Sequence, residues 1–585
     1  YISDCTDDSR HTEGKHSLYG AHNFVVISGK TELGLFVDTP SRATFDVGYT
    51  EHGVMTISVA SGAFKLYTIT PSDEEKPAES VVKQFRRLIG MSYIAPKWAF
   101  GYGQSRWGYR DEKDIREVAR RHRENHIPLD AIYLDIDYMD HYKDFTVGGE
   151  AFPDLKGLAC EMRGLGIHLV PIIDAGIKKE EGYPVYEEGR DKGFFCKDED
   201  GEDYEFGVWP GISCLPDVLD EKAAEWFGDK YRALLDLGID GFWNDMNEPA
   251  MFYSKKNLKR VAGELAEMST QELGLEGFFK FRELATSLSN NEEDYKSFYH
   301  NYRGKRYRHD EVHNLYGFYM TKAAAEGIAG YMLEQPGGAE RYRKDPPLLF
   351  SRASYIGLHR YAGIWQGDNR SWWSQLKLSV CMTASLNMCG FLYTGADIGG
   401  FGDDTTEDLL IRWLSFAVFT PLMRNHSEKW SREQEVYRFG SAEIMRDLIR
   451  LRYRLIPWLY ETYVKACREG LMMFKPLGFE YPRDEVARRT EDQLLVGDGV
   501  MIAPVCEQNA TGRVVYLPEP MKMLRIRGAE VVSEEPADAG HRYVEMPLGD
   551  VCLFVKEGSD FRLGEVYESV AELERAEGMA AGTKD

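Results

Sequence analysis

The sequence predicts an α/β protein whose centre is a (β/α)8 TIM barrel with long insertions, flanked by an N-terminal β-sandwich and a C-terminal β-domain. Between residues 93 and 460, eight apolar runs that end in polar residues follow one another, and amphipathic stretches lie between many of them. Residues 1–92 and 461–585 instead contain short β-branched and aromatic runs separated by turn residues. A chain of 585 residues is also too long for a single hydrophobic core.

The N-terminal region is predicted to be β-structure. Its short apolar runs are Phe24–Ser28, Leu33–Val37, Ala43–Val47, Val54–Val59 and Phe64–Ile69. A proline-bounded acidic stretch from Pro71 to Pro77 and a helix near Val81–Gly90 lead into the barrel. Because the chain begins at Tyr1 without a Met or a signal-peptide pattern, we expect that residues precede it.

The barrel prediction depends on eight strand candidates. These are Ala99–Arg106, Ala131–Met139, His168–Ile177, Gly241–Glu248, Leu348–Ser354, Tyr361–Asn369, Phe391–Gly400 and Phe416–Ser427. Helical patterns between them include Glu112–Asn125, Glu221–Leu237 and Trp372–Met388. Since the strands of such a barrel are parallel, their carboxyl ends meet at one face, where catalytic residues lie.

Two connections are too long for simple loops and are predicted insertions, at residues 178–218 and 250–310. Both follow barrel strands, so we expect the first to help form a pocket wall. A helix at Ile444–Glu469 precedes the C-terminal β-strands and a charged tail. Those strands are predicted at Leu494–Pro504, Arg513–Leu517, Leu524–Ile526 and Val551–Val555.

Charge and cysteine usage exclude several classes of partner. The net charge of −24 disfavours nucleic acid and anionic membranes, which bind through Lys and Arg. No apolar run reaches the ~20 residues of a membrane helix. Nine cysteines without a CxxC pair are typical of reduced thiols, so a cytoplasmic location is predicted. The oligomeric state stays open, with a homodimer as one option.

Polar residues stand where the predicted strands end, and carboxylates dominate. They are Arg106, Trp107, Asp135, Asp137, Asp174, Asp245, Glu248, Arg352, Asp368, Asp397, Arg424 and His426. Carboxylates accept hydrogen bonds from sugar hydroxyls, and one ionised and one protonated carboxyl can cleave an acetal. A divalent metal is the competing use, but no paired histidines accompany the acids. We therefore predict an oligosaccharide substrate and neither a metal nor a cofactor.

Several segments resemble those of glycoside hydrolase family 31, in the expected order and over nearly the whole chain. They are Leu134–Met139, Arg106–Tyr109, Trp243–Glu248, Ser351–Ser354, Trp365–Asn369, Gly395–Phe401 and Arg424–His426. The sequence is most similar to the compact bacterial α-glucosidases of that family.

The resemblance implies that Asp245 is the nucleophile and Asp368 the general acid/base. It also implies further contacts with the substrate: sugar hydroxyls by Asp135, Arg352, Asp397 and His426, the ring and its C5–C6 edge by Trp243, Met246, Ile136 and Ile172, and the aglycone side by Trp107 and Trp209. Asp4 resembles a further sugar-contacting residue. From the sequence alone, Glu248 is assigned a supporting role through hydrogen bonds to neighbouring backbone, and Arg424 is expected to pair with a carboxylate.

The preferred function is therefore a retaining, exo-acting α-glucosidase that acts on α-1,4 or α-1,6 links in short oligosaccharides. An α-xylosidase, α-galactosidase, transglycosidase or α-glucan lyase on the same scaffold is the alternative. A carbohydrate-binding protein without catalysis is ranked last, because both carboxylates stand in intact motifs.

Overall fold

The computed structural model describes residues 1–7, 17–29 and 32–582. The parts of the predicted N-terminal β-sandwich and C-terminal tail at residues 8–16, 30–31 and 583–585 lie outside the described residues. The rest of the chain forms a central barrel with β-structure before and after it.

A seven-stranded parallel sheet forms the barrel. Its strands in chain order are Tyr102–Arg106, Ala131–Leu134, His168–Ile173, Gly241–Asn244, Leu348–Ser351, Gly363–Ile364 and Met423–Asn425. The first six pair in sequence order, and the last pairs with the first. Since every pair is parallel, all carboxyl ends lie at one face.

The segment predicted as the seventh of eight strands, Phe391–Gly400, closes the ring without forming a regular strand. Ile364 donates to the carbonyl oxygen of Tyr393 over 3.1 Å on one side, and Ile398 donates to that of Arg424 over 3.0 Å on the other. A Cβ at Gly395 would lie 2.1 Å from a backbone oxygen, so the close approach needs glycine here. The predicted barrel is confirmed, with one irregular segment in place of the seventh strand.

Helices cover the outside of the barrel, and several begin at a capping side chain. The carboxylate of Asp111 accepts from the backbone N–H groups of Lys113 and Asp114, and Asp220 caps the helix at Glu221 in the same way. The barrel helices are Glu112–Glu124, Leu155–Gly164, Glu221–Asp229, Arg232–Leu235, Tyr316–Glu334, Gly338–Lys344, Trp373–Met388, Glu407–Ala417 and Ala442–Glu469.

The two predicted insertions pack together at the carboxyl-end face. Strands Ile177–Lys178, Glu205–Val208, Gly211–Cys214 and Tyr253–Ser254 form one sheet, so both insertions contribute to it. A second small sheet joins Lys197–Asp198 to the hairpin Phe298–Tyr302 and Lys305–Arg308. The helices of the two insertions are Pro184–Lys192, Lys255–Met268, Leu275–Thr286 and Glu292–Tyr295, and His309–Val312 follows them.

The N-terminal β-structure consists of two three-stranded antiparallel sheets that share a small core around Val37, Ala43 and Phe45. Their strands are Ile2–Ser3, Ala43–Val47 and Met55–Val59 in one sheet and Phe24–Ile27, Leu33–Asp38 and Lys65–Ile69 in the other, and the helix Pro77–Ile89 follows. A separate strand, Gly20–Ala21, pairs with Ser354–Tyr355, directly beyond the fifth barrel strand.

The C-terminal region has its own hydrophobic core, which includes Val515 and Phe554. Its strands are Phe474–Pro476, Leu494–Val496, Val500–Ile502, Gly512–Leu517, Met521–Arg527, Glu530–Ala537, Gly540–Glu545 and Val551–Val555. The helices Leu477–Glu480, Glu485–Arg489 and Val570–Gly582 accompany them. Over the described residues, every helix is too short or too polar to cross a bilayer.

The long helix Ala442–Glu469 is tied to the barrel by one buried side chain. Arg452 donates to the carbonyl oxygens of Phe100, Val418 and Pro421 over 2.7, 2.8 and 3.0 Å. One guanidinium thus donates hydrogen bonds to three carbonyl oxygens that the hydrogen bonds of strands and helices leave without a donor.

Candidate active site

The parallel sheet brings the polar residues of separate strands to one face. Asp135, Asp245, Arg352 and His426 each follow directly after a barrel strand, and Asp368 stands four residues after Ile364. A cavity of about 230 Å³ opens there, which is small for a ligand site. Its size suits the enclosure of one terminal sugar.

Ten of the residues predicted to contact substrate or reaction centre line this cavity. They are Trp107, Asp135, Ile136, Ile172, Trp209, Asp245, Met246, Arg352, Asp368 and His426. The remaining three, Asp4, Trp243 and Asp397, do not.

Asp245 is held at the rim by its own backbone. Its N–H donates to the carbonyl oxygen of Ile173 over 3.0 Å, which extends the sheet by one bond. Met246 then adopts a left-handed φ of 53° and donates its N–H to Asp245 Oδ1 over 2.6 Å. A non-glycine residue in that region costs of order 1 kcal/mol or more, so the turn is maintained by its surroundings. The carboxylate is fixed before any substrate arrives.

The guanidinium of Arg352 lies among the acids of the site. Its Nε is 2.9 Å from Asp245 Oδ1, and its Nη1 is 3.4 Å from Asp368 Oδ2. It also makes a bidentate pair with Glu248, at 2.9 Å for each contact, and the Tyr19 ring packs against it at 4.9 Å. Glu248 thus orients Arg352, whereas its predicted supporting role was a hydrogen bond to neighbouring backbone.

The two predicted catalytic acids have different surroundings. Burial raises the pKa of both Asp245 and Asp368, and Arg352 opposes the rise in each case. The pKa of Asp368 lies well above its usual range, with the charge of Asp245 adding to the effect of burial. Asp245 has both the closer guanidinium contact and a backbone N–H donor. The arrangement therefore favours an ionised Asp245 and a protonated Asp368.

Asp135 and His426 stand side by side in the cavity wall. His426 Nε2 is 3.7 Å from Asp135 Oδ2. Burial raises the pKa of Asp135 to about 7 and lowers the pKa of His426 well below its ordinary value. His426 is therefore a neutral ring in this site, and one such ring can both donate and accept a hydroxyl hydrogen bond.

Trp243 and Asp397 lie behind the wall, where both are almost fully buried. Arg424 donates to Asp397 Oδ1 over 2.6 Å, which confirms the predicted pairing of Arg424 with a carboxylate. Four aromatic rings surround that guanidinium, with Trp243 at 4.7 Å and Trp365 at 5.2 Å among them. This buried pair supports the barrel interior. Neither Trp243 nor Asp397 lines the cavity.

Asp4 was expected to contact sugar, but Asp7 takes the place in the wall. The backbone N–H of Asp4 donates to Ser17 Oγ, and its carboxylate faces His313 at 3.9 Å. Asp7 Oδ2 instead lies 3.5 Å from Arg352 Nη2. Two acids three residues apart give no sequence pattern that separates them.

Five Trp and Phe side chains border the cavity, and three of them, Phe252, Phe401 and Trp430, were not predicted. Trp107 meets Trp209 and Trp430 edge to face, at centroid distances of 5.1 and 4.7 Å. Phe252 packs edge to face against Trp209 at 4.5 Å. Trp430 is 69% exposed. Its position four residues after His426 is the signal that could have identified it.

Family models match most of the chain. The TIM-barrel domain of the glycosyl hydrolases family 31 matches residues 92–462, and the C-terminal domain of that family matches residues 470–559. Together they cover the barrel and the β-structure that follows it.

Individual relatives agree with this assignment. Alpha-glucosidase 2 of Bacillus thermoamyloliquefaciens is 35% identical over 566 residues, which is 96% of this chain and 64% of the relative. The alpha-glucosidase of Saccharolobus solfataricus is 30% identical, over 85% of this chain and 68% of the relative. The chain thus spans less than two thirds of the Bacillus protein.

Among solved structures, the GH31 dextranase of Flavobacterium johnsoniae, complexed with glucose, matches with a TM-score of 0.79 at 26% identity. The match covers 97% of this chain and 64% of the dextranase. Sequence motifs, barrel, site geometry and family models lead to the same assignment, and the chain belongs to glycoside hydrolase family 31.

Proposed function

We propose that this chain is a retaining, exo-acting α-glucosidase that removes terminal glucose from short α-linked oligosaccharides. The observation that carries the proposal is the placement of Arg352 between Asp245 and Asp368, at 2.9 and 3.4 Å. One guanidinium then keeps the nearer acid charged, while the farther acid holds its proton. These are the two states that a retaining glycosidase needs at neutral pH.

The reaction follows from those two states. Asp368 gives its proton to the glycosidic oxygen while the Asp245 carboxylate attacks the anomeric carbon, so the bond to the leaving group breaks and a glycosyl ester forms. Asp368, now ionised, takes a proton from water, whose oxygen attacks the anomeric carbon and releases Asp245. Two inversions give net retention, for which carboxyl groups ~5–5.5 Å apart are typical.

The dimensions of the cavity support exo action on a single terminal sugar. The cavity of about 230 Å³ is lined by the acids, by apolar side chains such as Ile136 and Ile172 and by aromatic residues. The aromatic residues Trp107, Trp209 and Trp430 extend the surface outward, where the rest of an oligosaccharide can stack. An endo-acting enzyme needs a cleft open at both ends.

The relatives support glucose as the released sugar. Two of them are named alpha-glucosidases, and the structural neighbour is a dextranase that has been crystallised with glucose and, as a mutant, with isomaltotriose. We therefore propose that both α-1,4 and α-1,6 links are cleaved, since the aromatic border imposes stacking and few directional hydrogen bonds.

A substrate panel tests the proposal. Maltose, isomaltose, an aryl α-glucoside, an aryl α-xyloside and an aryl α-galactoside are each incubated with the protein and with Asp245→Ala. We expect glucose from the first three substrates and none with the variant. Turnover of the xyloside or galactoside alone would replace the proposed sugar. An unsaturated anhydro-sugar, detected by product mass, would indicate a lyase, and a normally active Asp245→Ala would refute the nucleophile.

A further inference from the structure

A chain of three buried histidines lies outside the cavity wall and has no part in the proposed reaction. His300 belongs to the hairpin strand Phe298–Tyr302, His309 begins the short helix His309–Val312, and His313 follows that helix. Their exposures are 1%, 0% and 3%, and that of Asp217 beside them is 2%. At this depth, every polar atom needs a partner within the protein.

Four contacts join these residues end to end. His300 Nδ1 lies 2.8 Å from Asp217 Oδ1, and His300 Nε2 lies 2.8 Å from His309 Nδ1. His309 Nε2 lies 2.7 Å from His313 Nδ1, and His313 Nε2 lies 2.5 Å from the carbonyl oxygen of Cys5. All six ring nitrogens are thus used, and an oxygen stands at each end.

The number of hydrogens in these four contacts decides the net charge of the histidine chain. Each of the four contacts needs one hydrogen between its two atoms, whereas a neutral imidazole carries one N–H and three rings supply three. The Cys5 carbonyl only accepts, and so does Asp217 when it is ionised. Four hydrogens are needed, so one more proton is required than three neutral rings and a carboxylate hold.

We propose that Asp217, His300, His309 and His313 share this additional proton, and that the resulting unit positions the segment Tyr1–Asp7 at the active-site cavity. The proton is carried either as an imidazolium on one of the rings, balanced by the Asp217 carboxylate, or as a protonated Asp217 with three neutral rings. In both forms the four groups together are electrically neutral, which is what a buried site favours.

Other titratable groups also face the histidine chain. Cys196 Sγ is 3.4 Å from His300 Nδ1, and Asp4 Oδ1 is 3.9 Å from His313 Nε2. Asp4 thus places a second acid near the far ring. The ring of Tyr295 packs against His309 and His313, and the Tyr316 ring faces His300.

The positive charge of the additional proton is favoured at the two ends of the histidine chain. Burial and the two neighbouring rings lower the pKa of His309 well below its ordinary value. Next to Asp217 or Asp4, by contrast, a proton on His300 or His313 has an acid within 4 Å.

A metal ion is the competing explanation for Cys196, Asp217 and His300, whose potential ligand atoms all lie within 4.8 Å of one another. The 2.8 Å between Asp217 Oδ1 and His300 Nδ1 is a hydrogen-bond distance. Ligands of a tetrahedral zinc ion, with bonds of ~2.0–2.1 Å, stand about 3.3 Å apart. Asp217 Oδ2 is also already used, because it accepts the backbone N–H of Asn301 over 2.7 Å.

The end of the histidine chain at His313 connects it, through Cys5, to the active-site cavity. The N–H of Cys5 donates to Asn314 Oδ1 over 2.7 Å, so residues 313 and 314 hold both backbone groups of Cys5. Two residues later, Asp7 enters the cavity wall at 3.5 Å from Arg352. The inference rests on the proposed function only for what the cavity binds.

Asp217→Asn is a near-isosteric test, because an amide changes the hydrogen count. The introduced amide nitrogen can donate to His300 Nδ1 while the amide oxygen keeps the Asn301 N–H. Each ring then donates from Nε2, and all four contacts are satisfied by neutral groups. We expect this variant to fold with the same backbone and without the additional proton.

Neutron diffraction on crystals of the deuterated protein counts the hydrogens directly. In the wild type we expect deuterium in all four contacts, with either one doubly deuterated ring or deuterium on Asp217. In Asp217→Asn we expect three singly deuterated rings. Any contact without deuterium in the wild type would overturn the shared proton.

Thermal unfolding gives an independent measure in solution. The folded wild type binds one proton more than the variant, whereas the unfolded chains differ only at position 217, and an aspartate in an unfolded chain has a pKa of ~3.9. The wild-type advantage in folding equilibrium should therefore fall tenfold per pH unit from about pH 5 to 8. The midpoint of the wild type minus that of the variant should decline steadily over this range. A difference that does not change with pH would contradict the proposal.

Activity tests the positioning part. His313→Phe removes the link to Cys5, so KM for an α-glucoside should rise about tenfold with kcat within twofold, as expected for lost uniform binding. His313→Gln keeps a donor for Cys5 and should recover most of the loss. An unchanged KM in His313→Phe would overturn the positioning role. If the protein cleaves no α-glucoside, the neutron and unfolding measurements still decide the proton count.

Discussion

Arg352 donates from Nε and Nη2 to the two carboxylate oxygens of Glu248, each over 2.9 Å, and both side chains are buried. This fork fixes the plane of the guanidinium, so that Nε also reaches Asp245 and Nη1 points at Asp368. The charge that separates the two proposed catalytic acids is therefore oriented by a third acid.

Glu248→Gln tests that orientation. The amide nitrogen of a glutamine would oppose a guanidinium nitrogen, donor against donor, and the fork would be lost. We expect kcat/KM to fall by about 10²-fold, as for a catalytic group displaced by about 1 Å. Steady-state kinetics with an aryl α-glucoside measure the effect. Glu180→Gln, an exposed residue paired with Lys143, is the matched control and should stay within twofold.

The stereochemistry of azide products assigns the two acids separately. In Asp245→Gly, azide should attack the anomeric carbon directly and give the inverted glycosyl azide. In Asp368→Ala, the glycosyl ester on Asp245 should form from an activated aryl glucoside, and azide should give the retained product. NMR of the two products decides between them. The same anomer from both variants would show that the roles are wrongly assigned.

The pH profile of kcat/KM should be bell-shaped. Burial raises the pKa of Asp245, so the nucleophile is protonated and activity is lost as pH falls through that pKa. The pKa of Asp368 is raised much further, and activity is lost as pH rises through it, because the proton donor ionises. With azide and an activated substrate, Asp368→Ala should lose the alkaline limb and keep the acid limb. An alkaline limb that persists in this variant would belong to another group.

The aromatic border should matter for the length of the substrate. Trp430 is largely exposed and meets Trp107 edge to face, so Trp430→Ala should raise KM for isomaltotriose by several-fold, corresponding to ~1 kcal/mol of lost aromatic contact. KM for an aryl α-glucoside should change less than twofold. Tyr49→Ala removes an exposed aromatic side chain that does not line the cavity and serves as the control. Equal effects on both substrates would place Trp430 outside the oligosaccharide path.

Arg452→Met should destabilise the chain without altering the cavity. Three buried carbonyl oxygens would lose their donor, at about 1–3 kcal/mol for each unsatisfied group. Thermal unfolding followed by circular dichroism should show a midpoint several degrees lower. Arg452→Lys can satisfy part of the set and should fall between the two. A wild-type midpoint in Arg452→Met would mean that water or relaxation replaces the guanidinium.

Strand ends were the predictable part of the site. An apolar run that stops at Asp135 or Asp245 is a local pattern, and a parallel sheet brings such ends together whatever the loops do. The depth of Asp397 was not predictable, because Arg424, 27 residues away in the chain, draws it behind the wall. The irregular course of Phe391–Gly400 likewise depends on backbone contacts with both neighbouring strands.

Contacts distant in sequence account for the other differences. Whether Asp4 or Asp7 faces the cavity is set by the anchoring of Cys5 at residues 313 and 314, more than 300 positions away. Trp430 meets Trp107 where the last barrel strand, which precedes Trp430, pairs with the first, which precedes Trp107. A local pattern contains neither relationship.

The parallel pairing of Gly20–Ala21 with Ser354–Tyr355 has a consequence for how this protein can be divided. Tyr19 and Asp7, which flank Arg352, enter from the same N-terminal part of the chain. The barrel alone therefore does not contain the whole candidate site. A recombinant fragment that begins at the first barrel strand would lack the two side chains that contact Arg352 from the N-terminal part. Exchanging the N-terminal β-structure between homologues would likewise change the residues around Arg352 and not only the domain attached to the barrel.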